Sequence, residues 1–546
     1  MRRLKITILD LLTKGPTTSL YARVMNQNLA SIMPQVVAVW CEQMGHDVQF
    51  ICYTGLEDLN SELQRDADLL FIAAFTRSAE LSYAISSSFR QQGAVTVLGG
   101  PHARCYPQDA ARYFDYVVGF TDKALIGDII RDCEPHRPIG QQLSVAQQPR
   151  ELPGVKERWK FIEPTISKAP TSFKIIPMIG SMGCPYTCGF CIDANIDFQQ
   201  LGFDQIREDL RFLLTKIDRP CVAWHDPNFG VSFNQYMGVI EDTIAPDSID
   251  FIAESTLSIL SESHLRRMQR NGFKAVLPGI ESWYDHADKS SSGRRTGLEK
   301  VRHIADHINL VHQYIPYTQS NFVLGLDSDE GPEPFELTKE FLKRVPGTFP
   351  AFSLLSAFGQ ASPFNLDLQR EGRVLPFPFY FLDNNKAMNV RPKNYTWPEF
   401  YDHLVDLTRY AFSWPRISRR VVTTKGWVPK WLNVVRSVSS EGFGRLKYHT
   451  TIRRKLDSDI AFRRYLEGES TALPEFYKEK IKKKLGLYWE MLPDGALSHD
   501  HLAYLKTHGR MADNLAEHST PADTDDVTSR GNKVSVKLCV PHTQTT

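Results

Sequence analysis

The sequence is poor in cysteine, shows no excess of either charge and contains no long apolar run. Nine Cys are spread over 546 residues, which is too sparse for a disulfide scaffold. Lys and Arg number 64 against 63 Asp and Glu. The formal net charge of +1 excludes a polyanion-binding surface over the whole protein, although a local basic region is compatible with it. No apolar stretch approaches the roughly 18 residues that cross a bilayer.

The composition that is present is that of a folded protein. Hydrophobic residues make up 42% and charged residues 23%, which excludes a disordered chain, a collagen-like repeat and a coiled-coil rod. At about 150 residues per domain, we expect three or four domains. Basic residues open the chain, but Asp10 interrupts the apolar stretch after them and no small-residue cleavage site follows. We therefore predict a cytoplasmic protein, whose thiols stay reduced and can bind metal.

Residues 1–135 alternate short β-rich runs with amphipathic stretches. Two helical stretches, Pro34–Met44 and Ser82–Gln92, are each followed by a glycine, which is typical of a helix end. This alternation predicts a Rossmann-like, doubly wound parallel sheet with a ligand at the carboxyl ends of its strands. The predicted strands are Ile6–Leu9, Val48–Tyr53, Leu69–Ala74, Val95–Leu98 and Tyr116–Val118.

Residues 136–172 show weak periodicity, and we predict a linker there. Residues 173–400 form a second α/β series, with helical patterns such as Phe203–Leu214, Ser261–Asn271 and Pro334–Arg344. Six strands with intervening helices predict a partial (β/α)6 barrel of the TIM type, with its chemistry at the carboxyl ends of the strands. The predicted strands are Ile175–Ile179, Val222–Trp224, Phe251–Ala253, Ala275–Leu277, Tyr317–Leu324 and Phe352–Leu355.

Residues 401–510 have a helical pattern and are basic, with 17 Lys or Arg against 7 Asp or Glu between residues 419 and 484. The stretch Lys425–Arg436 interleaves bases with Trp427 and Trp431, a pattern compatible with anionic lipid. A basic helix with its Trp side chains packed inward is more common, and we prefer it to contact with a membrane surface. No nucleic-acid motif accompanies the charge, so no nucleic-acid partner is predicted. Residues 511–546 are polar and aperiodic, and we expect a disordered tail.

Three cysteines lie close together directly after the first strand of the second series. Cys184, Cys188 and Cys191 are flanked by Gly183 and Gly189, which permit close backbone approach. Three thiolates on one loop suit a 4Fe–4S cluster and leave its fourth iron open for a non-protein ligand. A structural zinc site requires a fourth ligand at matching spacing, which is missing nearby, and a disulfide is disfavoured in a reducing compartment.

The pattern C-x3-C-x2-C, with Phe190 before the last Cys, resembles the signature loop of radical S-adenosylmethionine (SAM) enzymes. The resemblance implies that Cys184, Cys188 and Cys191 bind three irons and that the open iron chelates SAM. It also implies reductive cleavage of SAM to a 5′-deoxyadenosyl radical. The protein then holds that radical away from water and directs it at one substrate hydrogen.

Later segments resemble the same family in their order along the chain. The string His225-Asp226-Pro-Asn-Phe ends the second barrel strand, Gly279-Ile-Glu281-Ser282 resembles the fourth-strand element beside SAM, and Gly325 closes the fifth strand. Gln360-Ala-Ser-Pro363-Phe364 resembles the stretch after the sixth strand. From the residues alone, Glu281 also suits an N-cap or a salt bridge. No side chain is assigned an acid or base role. The cofactor-binding residues that the resemblance implies in the barrel are Phe190, Asp226, Gly279, Glu281, Ser282 and Gly325.

The ends of two strands in the first sheet also carry a pattern. Thr76 and Ser78 follow the third strand, and Gly99 and Gly100 end the fourth, where paired glycines permit a flat ligand or form a tight turn. Their order resembles that of cobalamin-binding domains and implies that all four residues contact the corrin. Leu12 stands where that family carries an axial His, so we predict a cobalt without a lower His ligand from this loop, or a domain that has lost cobalamin binding.

A cobalamin-binding domain ahead of a radical SAM barrel resembles the cobalamin-dependent radical SAM enzymes. This resemblance implies a methyltransferase that acts on an unactivated carbon or a phosphinate of a small molecule. It implies 4Fe–4S, SAM and cobalamin as cofactors and an electron donor such as flavodoxin or ferredoxin as a partner. Two alternatives stay open: a radical cyclase, oxidase or rearrangement enzyme without methyl transfer, and a cobalamin- or cluster-binding protein without turnover.

Overall fold

Most of the chain, up to residue 501, is described by the computed structural model. The described residues are 2–17, 19–26, 30–133, 140–170, 174–194, 196–284, 293–383 and 385–501. They belong to one compact unit, and the predicted tail at 511–546 lies outside them. Within these ranges, no helix has both the length and the apolar character needed to span a bilayer. The domain boundaries near residues 135, 172, 400 and 510 stay predictions.

The first sheet has six parallel strands in the order β2-β1-β3-β4-β5-β6. The five predicted strands are confirmed, with small shifts at their ends. The sixth, β6, lies inside the predicted linker, where its short and polar sequence gives no strand pattern. The strands are β1 (Lys5–Leu11), β2 (Asp47–Tyr53), β3 (Leu69–Ala74), β4 (Val95–Gly99), β5 (Tyr116–Val118) and β6 (Gln141–Leu143).

Helices cover both faces of this sheet, as a doubly wound fold requires. The predicted helices Pro34–Met44 and Ser82–Gln92 correspond to α2 and α4 below. The last helix of the set, α8, lies in the predicted linker; it buries Arg158, which donates a hydrogen bond to Gln35 Oε1 at 2.7 Å and obscures the apolar pattern. The helices are α1 (Leu20–Met25), α2 (Ile32–Gln43), α3 (Leu59–Glu62), α4 (Ala79–Gln91), α5 (Pro101–Cys105), α6 (Pro107–Ala110), α7 (Lys123–Arg131) and α8 (Val155–Ser167).

The second sheet contains six parallel strands in chain order, β7-β10-β11-β12-β14-β15, with β13 continuing beyond β12 to pair with β14. The predicted partial (β/α)6 barrel is confirmed. A two-stranded antiparallel ribbon, β8 with β9, follows the first barrel strand. The strands are β7 (Ile175–Met178), β8 (Ser181–Met182), β9 (Gln199–Gln200), β10 (Cys221–Trp224), β11 (Asp250–Ala253), β12 (Phe273–Val276), β13 (Gly279–Glu281), β14 (Tyr317–Leu324) and β15 (Phe349–Leu354).

Helices follow most of the barrel strands, and the predicted helical patterns are confirmed. Each buries an apolar stripe against the strands and leaves a polar face outside. The helices are α9 (Phe203–Lys216), α10 (Phe233–Thr243), α11 (Glu262–Arg270), α12 (Gly297–Tyr314), α13 (Glu333–Arg344) and α14 (Pro363–Arg370).

The C-terminal region is helical, as predicted. Its first helix, α15, packs on α13 of the barrel, and Trp397 Nε1 donates a hydrogen bond to Leu466 O at 2.6 Å. The expectation of inward-packed Trp side chains is wrong for Trp427, which is 65% exposed. The helices are α15 (Trp397–Ala411), α16 (Trp414–Thr423), α17 (Trp427–Val438), α18 (Phe443–Ser458), α19 (Ile460–Leu466) and α20 (Glu475–Leu485).

One apolar core runs through both sheets. It joins Ile72 and Leu98 of the first sheet to Met178 and Trp224 of the barrel, while a separate cluster fills the other face of the first sheet. At about 25 cal/mol per Å² of buried apolar surface, such a shared core stabilises the two sheets as a pair. Their strand ends therefore keep a fixed relation.

Candidate functional site

The loop that carries the three cysteines begins with a backbone turn that only glycine adopts easily. Gly183 has φ of +70°, and a Cβ there would lie 2.2 Å from the carbonyl oxygen of Asp197. The next residue is bound to the same segment, residues 196–197, because Cys184 N–H donates to Ile196 O at 3.2 Å. The first cysteine is thus fixed directly after β8, in the loop that joins the two strands of the ribbon.

The second half of the loop is held by the segment after β15. Phe364 N–H donates to Gly189 O at 2.8 Å, and Ser362 Oγ donates to the same oxygen at 3.1 Å. A Cβ at Gly189 would lie 2.0 Å from the Phe364 ring. The neighbouring Phe190 is half-buried against the core. The stretch Gln360–Phe364, noted in the sequence for its resemblance, therefore supports the cysteine loop.

The donor set of this loop fits an iron–sulfur cluster. Cys184, Cys188 and Cys191 are half-exposed and free of disulfides. Asp193 N–H donates to Cys191 Sγ at 3.4 Å, a contact that favours a thiolate. No three metal-ligating side chains among the described residues converge on a single ion, which disfavours a zinc site. A cubic cluster binds each thiolate through a different iron, so it does not require that convergence.

Asp226 is buried beside this loop and is saturated by hydrogen bonds. Its carboxylate accepts from Gly180 N–H at 3.1 Å, Ser181 Oγ at 2.5 Å and Tyr236 OH at 2.5 Å. Burial raises the pKa of Asp226. These contacts anchor the chain that leads into Cys184, and the cofactor contact that the sequence predicts for Asp226 stays a prediction.

The predicted SAM-binding residues of the fourth and fifth strands lie on neighbouring elements. Gly279 and Glu281 belong to β13, which pairs with β14, and Gly325 follows β14 directly. Glu281 has φ of +65°, a conformation rare for a residue with a side chain. Gly325 also has a positive φ, and its N–H donates to Asp329 Oδ2 at 2.9 Å.

Ser282, which follows β13, is buried and accepts a hydrogen bond at Oγ from Tyr284 N–H at 3.1 Å. It therefore stabilises the turn after Glu281. Contact of Gly279, Glu281, Ser282 and Gly325 with SAM stays a prediction.

A cavity of about 390 Å³ lies where the carboxyl ends of the two sheets meet. In the first sheet, the strand register aligns Asp10, Ala73 and Gly99 across β1, β3 and β4, and all three line the cavity. Its opposite wall comes from the barrel. That wall includes Gly183, which opens the cysteine loop, and His225, which follows β10. The cavity thus joins the two sites that the sequence predicts separately.

The predicted glycine pair forms part of this cavity. A Cβ at Gly99 would meet no atom within 4 Å, so the bare backbone faces open space. Gly100 has φ of +86°, and a Cβ there would lie 3.1 Å from the backbone of Ala74. A strand end without side chains suits a flat ligand, and the residues present fit a corrin ring in this respect.

Thr76 and Ser78 do not line the cavity. Both are buried in a short 3-10 helix after β3, while Phe75 beside them does reach the cavity. The geometry therefore does not favour direct contact between these two hydroxyls and a ligand in this cavity. Phe75 is 40% exposed and offers an apolar surface instead.

Arg104 is a cavity residue that the sequence analysis missed. It lies on α5, and its guanidinium donates to Ile192 O at 2.7 Å and to Asp193 Oδ1 at 3.0 Å in the cysteine loop. The guanidinium also lies 4.8 Å from the ring of Phe120. Only its position four residues after Gly100 could have indicated a role, because its partners are distant in sequence.

Asp10 and Leu12, at the end of β1, have different surroundings. Leu12 is buried with Ala30 and Cys52, away from the cavity. Asp10 accepts hydrogen bonds from Ser31 N–H at 2.6 Å and from its hydroxyl at 2.9 Å, and burial raises the pKa of Asp10 to about 6.

Two histidines near these strand ends have different surroundings. His102 is buried and hydrogen-bonded to Tyr83 OH at 2.6 Å, so it is no substitute ligand. His225 lines the cavity from the barrel side, where its surface is exposed. Desolvation by the surrounding protein lowers the pKa of His225 to about 4, which leaves the imidazole neutral at pH 7.

The chain matches no family model, but it is similar to three curated methyltransferases. Bacteriochlorophyllide d C-12(1)-methyltransferase of Chlorobaculum tepidum is 21% identical over 365 residues, which are 65% of this chain and 76% of that protein. The C-8(2)-methyltransferase of the same organism is 24% identical over 54% of this chain and 66% of its own length. Hopanoid C-2 methylase of Rhodopseudomonas palustris is 24% identical over 54% of each chain.

A solved structure shares the whole architecture. The cobalamin-dependent S-adenosylmethionine radical enzyme OxsB, solved with aqua-cobalamin bound, superposes with a TM-score of 0.52 at 12% identity. The match covers 94% of this chain and 84% of that chain, including the C-terminal helical region. The predicted resemblance is confirmed: the chain has the fold of the cobalamin-dependent radical SAM enzymes.

Proposed function

We propose that this protein is a cobalamin-dependent radical SAM methyltransferase that methylates an unactivated carbon of a small molecule. The observation that carries the proposal is the cavity between Gly99 and the cysteine loop, which brings both predicted cofactor sites to one space. When bound, the cluster would supply the electron that cleaves SAM, and the corrin would carry the methyl group to the substrate. The names of the curated relatives support methyl transfer to carbon.

The residues of the chain would act by binding and positioning. Cys184, Cys188 and Cys191 would bind the cluster, with Asp226 fixing the chain ahead of them. The bare backbone at Gly99 would lie against the corrin. Bound cofactors and substrate would have to displace water from this partly open cavity, which would protect reactive species formed there.

The cofactors are tested with anaerobically purified protein supplied with iron, sulfide and hydroxocobalamin. We expect absorption bands of both a 4Fe–4S cluster and a corrin. Cys188→Ala should lose the cluster band and keep the corrin bands, whereas Cys221→Ala, at the start of β10, should keep both. Retention of a full cluster by Cys188→Ala would contradict the ligand assignment.

Product analysis distinguishes methyl transfer from the alternatives. A methyltransferase should yield S-adenosylhomocysteine together with 5′-deoxyadenosine, whereas a cyclase, oxidase or rearrangement enzyme should yield 5′-deoxyadenosine without it. A binding protein without turnover should cleave no SAM under a strong reductant. The methyltransferase is preferred because each of the three curated relatives is named a methyltransferase or methylase.

Two further partners belong to this proposal. Reductive cleavage of SAM requires a one-electron donor, and we propose flavodoxin or ferredoxin in the cytoplasm, where free thiols persist. We also propose that Trp427, at the start of α17, contacts anionic lipid together with the neighbouring Lys425. Trp427 is 65% exposed, and Lys425 is exposed as well. Aromatic side chains beside bases suit the headgroup region of an anionic bilayer.

A further inference from the structure

A second and larger cavity, of about 810 Å³, lies between the first sheet and the C-terminal helices. Its walls come from the loop after β1, from the chain around Tyr380 and from helices α18 and α20. We name it the lysine cavity, because five lysines line it: Lys14, Lys386, Lys480, Lys483 and Lys484. One carboxylate, Asp383, belongs to the same lining.

The lysine cavity is a built feature rather than a gap between loosely packed segments. Gly15 has φ of +138°, and a Cβ there would lie 2.4 Å from the carbonyl oxygen of Lys484. Lys484 Nζ donates in return to Pro16 O. Lys14 Nζ donates to Tyr380 O at 2.8 Å and lies 4.0 Å from the centre of the Tyr380 ring. These contacts fix the loop after β1 to α20 and to the barrel side.

The positive charge of this cavity is poorly compensated. Lys14 lies 3.6 Å from Asp383, but none of the other four lysines forms an ion pair with a carboxylate in the described part of the chain. Burial lowers the pKa of Lys14 to about 7. Burial, with repulsion from Lys386, lowers the pKa of Lys484 to about 8. Lysine ammonium groups this close together repel one another unless an anion lies between them. The arrangement therefore indicates a ligand that carries a negative charge.

From this geometry we propose that the lysine cavity binds an organic ligand through a phosphate or a group of carboxylates. Lysine ammonium groups act as point charges that suit such anions, and the volume lies in the range of about 300–1,000 Å³ that small-molecule sites occupy. Tyr380, Phe381 and Tyr448 line the same cavity and offer apolar walls to the body of the ligand.

The position of the cavity indicates that this ligand is the substrate, an assignment that depends on the proposed methyltransferase function. The end of β1 and the loop that follows it border one cavity each: Asp10, on β1, lines the cavity between the sheets, and Lys14, in the loop, lines the lysine cavity. Four residues of chain span at most about 14 Å. A substrate whose anionic group contacts the lysines could therefore extend its reacting carbon toward the cofactors.

The test measures binding of inorganic pyrophosphate and of citrate to the reconstituted full chain by calorimetry. We expect one saturable site per chain. Tighter binding of pyrophosphate would indicate that the natural ligand carries a phosphate, and tighter binding of citrate would indicate that it carries several carboxylates. Lys386→Gln and Lys480→Gln should each raise the Kd of the tighter probe at least about tenfold, because each removes a charged contact. Lys478→Gln removes an exposed charge from the same helix as Lys480 and should change the Kd less than about twofold.

The proposal is overturned if neither probe saturates, or if Lys478→Gln weakens binding as much as Lys480→Gln does. Circular dichroism checks that the variants fold. Should a variant fail to fold, acetylation of the wild-type protein gives the second measurement: bound probe should protect Lys386 and Lys480 but not Lys478. SAM cleavage is assayed separately. Cleavage without anion binding refutes this inference alone, and anion binding without a cluster refutes the proposed function alone.

Discussion

Substitution of the two neighbouring glycines at the end of β4 should have opposite effects on stability and on corrin binding. Gly99 lies in extended backbone with open space where a Cβ would point, whereas Gly100 has φ of +86° and contacts Ala74. Valine is favoured in strands, so Gly99→Val should leave the free energy of unfolding within about 0.5 kcal/mol of the wild type. Its side chain would nevertheless fill the space above the strand end.

Gly100→Val should destabilise the protein instead. A side chain in the left-handed region costs roughly 1–2 kcal/mol, and the 3.1 Å contact with Ala74 adds to this. We therefore expect a loss of about 1–3 kcal/mol in the free energy of unfolding for Gly100→Val, measured by urea titration with tryptophan fluorescence. The two variants differ by one position in the chain, so each is the control for the other.

Corrin content is the decisive measurement for this pair. Gly99→Val should lose the corrin absorption bands while it keeps the cluster band and the urea midpoint of the wild type. Full corrin content with unchanged affinity in Gly99→Val would refute the assignment of this cavity to cobalamin. Loss of the cluster band as well would indicate a general disturbance of the strand ends rather than a blocked ligand site.

Three further predictions follow from buried or exposed side chains. Asp226→Asn leaves a buried donor unsatisfied, so it should lower the free energy of unfolding by about 1–3 kcal/mol and lower the iron content. The exposed control Asp242→Asn should change neither quantity. Burial raises the pKa of Asp10 from 3.8 to about 6, which favours the protonated form in the folded state.

Stability should therefore fall by about 2 kcal/mol as the pH rises from 4 to 6 in the wild type without corrin, relative to Asp10→Asn; equal slopes would contradict this. Trp427→Ser should reduce the fraction of protein that sediments with anionic vesicles about tenfold. If the wild type binds neutral vesicles as well as anionic ones, contact with anionic lipid is excluded.

The sequence predicts the strands of both sheets well because each is a short apolar run bounded by turn residues. It misses α8 because Arg158 and Thr165 are buried on the face that apolar residues normally occupy. It misses β6 because Gln141–Leu143 is short and largely polar. Local pattern identifies an element only where the local residues supply its stabilisation.

The site is predicted less completely than the fold. The cysteine triplet and Gly99 are visible because their chemistry is local to a few residues. The hydrogen bonds that Asp226 accepts from Ser181 and Tyr236 have no signal in the sequence, and its cofactor contact stays a prediction. Arg104 is missed for the same reason, because Asp193 lies 89 residues further along the chain.

One short helix sets the relation between the two predicted cofactor sites. Helix α5 begins directly after Gly100, and Arg104 on it donates to the cysteine loop. Its last residue also contacts the barrel, since a Cβ at Gly359 would lie 1.9 Å from the carbonyl oxygen of Cys105. Tyr106 OH then donates to Ala357 O at 2.9 Å. Because the same five residues are attached to the glycine edge, to the cysteine loop and to the segment after β15, none of the three can move alone. The spacing of the two predicted cofactor sites is therefore set by the packing of α5 together with the hydrogen bonds of Arg104 and Tyr106.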